Sequence, residues 1–198
     1  MTTTYSASSP TSAPDTRWRT RDIVITAVIG VAFGVVFWAW GVVWNGPLAV
    51  LGAFALPVRD LGYAVWLIPA VLAPLIIRKP GAALFAEMVA AGLSALLGTV
   101  WGPQVLLAGF VQGAAAEVVF GFTLYRLWSF PVLAIAAVAS AAAAWILDWA
   151  IYYAAIDTTV QVVRLVFMAI SAVILVAGGS VALRRSLKRA GVLEGFPD

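Results

Sequence analysis

Residues 80–126 read PGAALFAEMVAAGLSALLGTVWGPQVLLAGFVQGAAAEVVFGFTLYR. Two apolar runs, joined by Trp101-Gly102-Pro103-Gln104, each carry one glutamate near the middle, Glu87 and Glu117. On insertion-type scales an acidic residue at the centre of a membrane helix costs roughly 2.5–3.5 kcal/mol, so it ordinarily faces a cavity or a partner and marks a site. The totals show that these runs are membrane helices. The chain has 198 residues, 63% hydrophobic and only 11% charged, with a mean hydropathy of +1.01. Soluble domains carry roughly 25% charged residues. A span needs ~20 apolar residues to cross a hydrocarbon core of ~30 Å. The length therefore holds about six short-looped helices and no soluble domain.

There are no cysteines and no histidines. Disulfides, thiol nucleophiles, Cys/His metal sites and Ser–His or Cys–His pairs are excluded. No GxxxxGK[ST] loop is present, so the chain has no such route to ATP. No enzyme activity, cofactor or metal is expected. The net charge of +3 does not point to nucleic acid, because the basic residues sit at span ends.

Outward from the glutamates, residues 1–20 form a Ser/Thr/Pro-rich tail expected to be disordered, 21–189 a transmembrane domain and 190–198 a short C-terminal tail. The first span is expected at about 22–44, broken by Asn45-Gly46-Pro47. The stretch 48–60, interrupted by Pro57-Val58-Arg59-Asp60, reads as re-entrant or interfacial, with the second span starting near Leu61 and ending at Arg78-Lys79-Pro80. The remaining four are expected at about 81–100, 104–124, 131–155 and 163–183. Basic clusters at Arg17/Arg19/Arg21, Arg78/Lys79, Arg126 and Arg184/Arg185/Lys188/Arg189 then fall at every second boundary. By the positive-inside rule six spans put all of them, and both termini, in the cytoplasm.

In the third span Glu87, Ala91, Ser94, Gly98 and Trp101 share one helical face. Small residues alone suit helix packing; with a carboxylate among them the stripe reads as the wall of a cavity. In the fourth, Gln112 and Glu117 lie ~140° apart, so one addresses a pocket and the other a structural partner. Counting to Lys79 and Arg126 puts both carboxylates at similar depth, with Arg59 or Arg164 expected to neutralise them. Phe33, Phe37, Trp40 and Trp44 share a face of the first span, and Trp145, Asp148, Trp149 and Tyr152 a face of the fifth. Trp149 and Tyr153 fit an interfacial aromatic belt; Trp40 and Trp145 lie a turn deeper and are candidate pocket residues, with Asp148 beside Trp145. Gly30 and Gly34 form a GxxxG, ordinarily a packing seam. An aromatic box with carboxylates suits a flat, cationic or amine-bearing ligand, since ring faces attract cations by roughly 0.5–2 kcal/mol.

Residues 78–102, RKPGAALFAEMVAAGLSALLGTVWG, and 109–126, GFVQGAAAEVVFGFTLYR, resemble the YkoE family, and 27–44, AVIGVAFGVVFWAWGVVW, is similar to it as well. These are substrate-binding S components of energy-coupling factor (ECF) vitamin transporters. The resemblance implies an all-α, six-helix protein of the bacterial plasma membrane that captures thiamine or its hydroxymethylpyrimidine precursor from outside. It implies a transmembrane coupling subunit and two ATPase subunits as partners. It assigns Glu87, Trp101, Gln112 and Glu117 to the ligand region. Trp40, Trp44, Ser94, Trp145, Asp148 and Tyr152 join them on the face analysis above. S components dock on the coupling subunit through an AxxxA-like motif of the first helix; the nearest match is Gly30-x-x-x-Gly34 with Ala27 a turn earlier. The rival readings are a standalone transporter driven by protons at Glu87 or Glu117, and a structural subunit with no ligand.

Overall fold

The computed structural model describes residues 16–51 and 55–196. Six helices cross the bundle: α1 Thr20–Asn45, α2 Leu56–Ile77, α3 Ala82–Leu96, α4 Gln104–Phe122, α5 Phe130–Ile151 and α6 Thr158–Arg189. Five are long and apolar enough to span a membrane, and α3, at 15 residues, is the short one. Both ends of the described chain lie at one end of the bundle with the basic clusters, the end that the positive-inside rule gives to the cytoplasm.

The centre of the bundle is α2. In its most apolar window 78% is buried, against 28% for α1 and α4. The expected break at 57–60 is instead the first turn of this helix. Pro57 sits at its N-terminus, where a missing N–H costs nothing. Leu61–Leu67 then tightens to 3₁₀ before the α-helix resumes at Ile68–Ile77. Pro69 has no N–H with which to continue the ladder, so the resumed helix begins with fresh unpaired donors. Of the expected re-entrant stretch 48–60, residues 52–54 lie outside the described residues; 47–51 form a 3₁₀ turn after α1, and 56–60 belong to α2.

In lipid, apolar contact alone does not drive helices together; close backbone approach does. Such a seam joins α1 to α3. A Cβ on Gly30 would stand 2.6 Å from Val89 Cβ and 3.0 Å from the Ala86 carbonyl, and one on Gly34 2.7 Å from Leu93 Cβ. Gly30 and Gly34 are therefore buried against α3 and cannot serve as a docking face; of the three expected contact residues only Ala27 is partly exposed. A second seam sets Gly109 and Gly113 of α4 against Ala91 and Leu84 of α3.

The helix α3 stops at Leu96, and a turn through left-handed Gly98 and Gly102 folds over the end of the bundle. Trp101 thus leaves the helical stripe expected for it and hangs from the loop, lying where a Cβ on Gly41 would be. Helix α6 runs 32 residues, with a π-helical segment at Ala172–Gly178. At 1.5 Å per residue it is roughly 48 Å long, so its basic last turns project beyond a ~30 Å core. Asp157, in the loop before it, caps its N-terminus by accepting from the Thr159 N–H at 2.8 Å, which holds that carboxyl below its ordinary range.

The described parts of the two expected tails are packed. Trp18 donates to the Pro80 carbonyl at 2.9 Å and meets Phe85 edge-on. Leu193 is buried, and Arg21 lies over the Phe196 ring at 5.0 Å. Residues 1–15, most of the expected disordered tail, lie outside the described residues.

Candidate functional site

The two glutamates that organise the sequence perform one structural task. Helix α3 begins at Ala82 with Gly81 at its N-cap and no side chain of its own to meet the first N–H groups. Glu117 supplies it from α4: its carboxylate accepts from the N–H of Gly81 (2.6 Å), Ala83 (3.0 Å) and Leu84 (3.4 Å) and from the Tyr125 hydroxyl (2.7 Å). The resumed helix Ile68–Ile77 likewise has no side-chain cap, and Glu87 Oε1 accepts from the Ala70 N–H at 2.9 Å. Both carboxylates therefore cap a neighbouring helix, where the orphan donors and the positive end of the dipole favour a negative group.

Neither glutamate lines the cavity, contrary to the expectation. Nor are they level: α4 ends at Phe122, short of Arg126, and Glu117 sits beside residues 81–84 at the cytoplasmic end, whereas Glu87 lies alongside Gly109 and Gly113. Replacing Glu117 by alanine is expected to destabilise the protein by about 1–3 kcal/mol, read as a lower melting temperature in detergent, because partly buried donors are left unmet. Ligand affinity should not change; a lost affinity with unchanged melting would return Glu117 to the site.

The cavity, about 330 Å³, lies at the opposite end of the bundle, where it opens to the surface. Its wall is a run of rings. Trp44 meets Trp66 at 4.9 Å and Tyr63 at 6.0 Å, Tyr63 meets Trp66 at 5.2 Å, and Trp66 meets Trp101 at 5.3 Å, all edge-on. Edge-to-face contact fixes each ring by its neighbour. Gln112 donates to the Tyr63 hydroxyl at 3.4 Å, and Ser140 ties the Gln112 carbonyl to α5 at 2.9 Å. Asp148 is the one carboxylate among the described lining residues, and the Tyr63 hydroxyl engages it. Arg59 lies over the Trp44 ring at 4.6 Å and donates to the Tyr153 hydroxyl at 2.7 Å, so its charge is already engaged at the rim.

Behind this wall Arg164, fully buried, donates to Asp60 at 2.6 Å and to Gln161 at 3.0 Å, with its guanidinium 3.8 Å over the Tyr153 ring. Arg59 and Arg164 thus serve Tyr153 and Asp60, not the glutamates as expected.

Of the expected site residues, Trp44, Trp101, Gln112, Asp148 and Tyr152 line the cavity. Besides the glutamates, three do not. Trp40 donates to the Gly62 carbonyl at 3.0 Å and Trp145 to the Gln161 carbonyl at 2.9 Å, so each indole N–H is spent on a neighbouring element. Ser94 is buried and its carbonyl accepts from Thr99. The sequence reading missed Tyr63 and Trp66, gave Arg59 to the glutamates rather than to the cavity rim, and placed Tyr153 in a belt. A spacing of three on a 3₁₀ helix puts Tyr63 and Trp66 on one face, a signal that α-helical periodicity overlooks.

Among the described residues, six helices enclose a ring-lined cavity that opens to the surface, the arrangement of a membrane protein built to hold a ligand. The family described as ABC-type cobalt transport system, permease component, matches residues 21–143. The proposed HMP/thiamine permease protein YkoE of Bacillus subtilis (strain 168) is 38% identical over 180 residues, covering 90% of this chain and 89% of that protein. A crystal structure of an S-component of an ECF transporter superposes with a TM-score of 0.86 at 37% identity, over 90% of each chain. The chain belongs to the YkoE family of ECF S components: it is a multi-pass transporter subunit that works with an ECF module, and not an enzyme.

Proposed function

We propose that the chain captures thiamine or its hydroxymethylpyrimidine precursor from the outer face and passes it to a coupling subunit served by two ATPases. The observation that carries this reading is the cavity: a wall of rings, Asp148 in the lining beside the Tyr63 hydroxyl, and a mouth at the end away from the basic clusters. Both molecules bring an aminopyrimidine, whose flat face suits the indoles and whose amino group suits a carboxylate acceptor. Thiamine adds a thiazolium cation, which ring faces attract. The relative's HMP/thiamine description points the same way. Cobalt, named in the family description, suits this lining less well. The donors offered are Asp148, Asn45, Gln104 and Gln112, oxygen and amide groups with no imidazole or thiolate.

Tryptophan fluorescence tests the proposal, because Trp44, Trp66 and Trp101 lie on the cavity wall. Purified protein titrated with each compound is expected to show saturable quenching with at least one. No saturable change with either would overturn the reading. Uptake into proteoliposomes that follows a pH gradient without any ATPase would establish the proton-coupled alternative instead.

A further inference from the structure

We propose that the loop 97–103, which carries Trp101 to the cavity, is seated just inside the outer boundary of the bilayer with its apolar side chains against phospholipid acyl chains, and that this contact holds Trp101 on the cavity wall. Helix α1 supplies the frame. Its exposed aliphatic side chains, Ile23, Val24, Val28, Val31, Val35 and Val42, lie between Asp22 at one end and Asn45 at the other. From Ile23 to Val42 they cover roughly 29 Å at 1.5 Å per residue, close to the ~30 Å of a hydrocarbon core. The contacts of α3 with α1 advance together, Gly30 on Val89 and Gly34 on Leu93, so the two helices run parallel. In that register Ala82 stands level with Ile23 and Leu96 with Phe37. The short helix therefore begins at the cytoplasmic boundary and stops ~7 Å below Val42. The loop that follows lies within the band of α1 that acyl chains cover.

The chemistry of the loop suits that depth. No charged residue occurs from Leu96 to Gln104. Leu96 is 85% exposed and Val100 66%, Leu97 is exposed beside them, and exposed Leu107 and Phe110 continue the apolar surface on α4. Non-helical backbone at membrane depth is tolerated where it lines a cavity, and this loop lines one through Trp101, followed by Gln104. Its N–H groups are drawn inward as well: Leu97, Gly98, Thr99 and Gly102 donate to the carbonyls of Leu93, Ala95, Ser94 and Thr99 at 2.9 to 3.1 Å. The Trp101 ring rests on bare Gly41 and meets Trp66 edge-on at 5.3 Å. A loop drawn out towards water would pull the ring off both. This consequence for the ligand rests on the cavity being the capture site proposed above; the lipid contact does not.

The chain has no cysteine, so a single one can be introduced where a probe is wanted. Val42→Cys on α1, Val100→Cys in the loop and Thr158→Cys beside exposed Asp157 each carry a nitroxide, with the full chain in phosphatidylcholine vesicles. Relaxation by oxygen, which gathers among acyl chains, is compared with relaxation by a water-soluble nickel complex. Oxygen is expected to outweigh nickel at 42 and 100, and nickel to outweigh oxygen at 158. Nickel prevailing at 100 would overturn the proposal. So would a label at 100 shielded from both reagents, since protein would then cover the loop. The Leu96→Gln/Val100→Gln pair alters only exposed side chains and makes them unfit for acyl chains. In the same vesicles it should weaken the quenching titration with thiamine or hydroxymethylpyrimidine by roughly twofold to tenfold, the worth of one aromatic contact. A pair that binds like the parent would show that lipid has no hold on Trp101. Should the pair fail to fold, Val100→Gln alone carries the same expectation. A parent that is quenched by neither compound would remove the capture reading alone, and the nitroxide comparison would still decide where the loop lies.

Discussion

Asp148→Asn is expected to weaken binding of an amine-bearing ring by roughly tenfold to a hundredfold and more, while leaving the melting temperature of the empty protein nearly unchanged. The substitution keeps the shape of the side chain and removes the one formal negative charge on the described cavity wall. A hydrogen bond to a charged group is worth about 1.5–3 kcal/mol, and every 1.4 kcal/mol is tenfold in affinity. Asp148 is 9% exposed, so water screens little of that interaction. Arg59 makes no direct ion pair with it, since that guanidinium lies on the Trp44 ring and the Tyr153 hydroxyl, although the charges of Arg59 and Arg164 still act on it at longer range. Fluorescence titration of parent and variant measures the ratio directly. A variant that binds like the parent would mean that Asp148 only holds Tyr63, and that the rings alone select the ligand.

The fold was largely legible because hydropathy and the basic clusters both repeat with the spans. The helix read least well was α2, since Pro57, Arg59, Asp60 and Pro69 look like punctuation. Enclosure by the other helices overrides local propensity there: a proline is tolerated where the helix tightens to 3₁₀ and where a neighbouring carboxylate meets the donors it leaves. The glutamates were correctly singled out as costly but read as facing a hollow. The sequence does show that both receiving helices lack a Ser, Thr, Asp or Asn at their N-caps, Leu67 for one and Gly81 for the other. Taken with two carboxylates set within apolar runs, those missing caps point to capping across helices. The cavity aromatics were half legible. Trp44, Asp148 and Tyr152 follow α-helical faces, whereas Tyr63 and Trp66 follow a 3₁₀ period, and Trp101 reaches the cavity from a turn. Trp40 and Trp145 carry the same chemistry on similar faces and were lost to carbonyls that only the tertiary structure supplies.

Arg164→Met is expected to produce the largest loss of stability of any single substitution considered, about 3–5 kcal/mol, because it strands a buried carboxylate. Asp60 and Arg164 are both fully enclosed, and the 2.6 Å contact between them joins the start of α2 to α6 across 104 residues of sequence. In a membrane bundle neither charge has water to turn to, so each depends on the other. Replacing both, as Asp60→Leu with Arg164→Met, should recover most of the loss, since an apolar pair of similar volume often matches a buried ion pair. Melting of the two single variants and the double variant in detergent gives the coupling, and additive losses would show the pair to be independent. Ligand binding separates a second role. Arg164 also packs on Tyr153, which accepts from Arg59 at the rim of the cavity. The double variant should therefore be stable yet bind more weakly than the parent, with Tyr153 and Arg59 no longer held from behind. Full recovery of both stability and affinity would show that the pair fastens α2 to α6 and does nothing for the cavity.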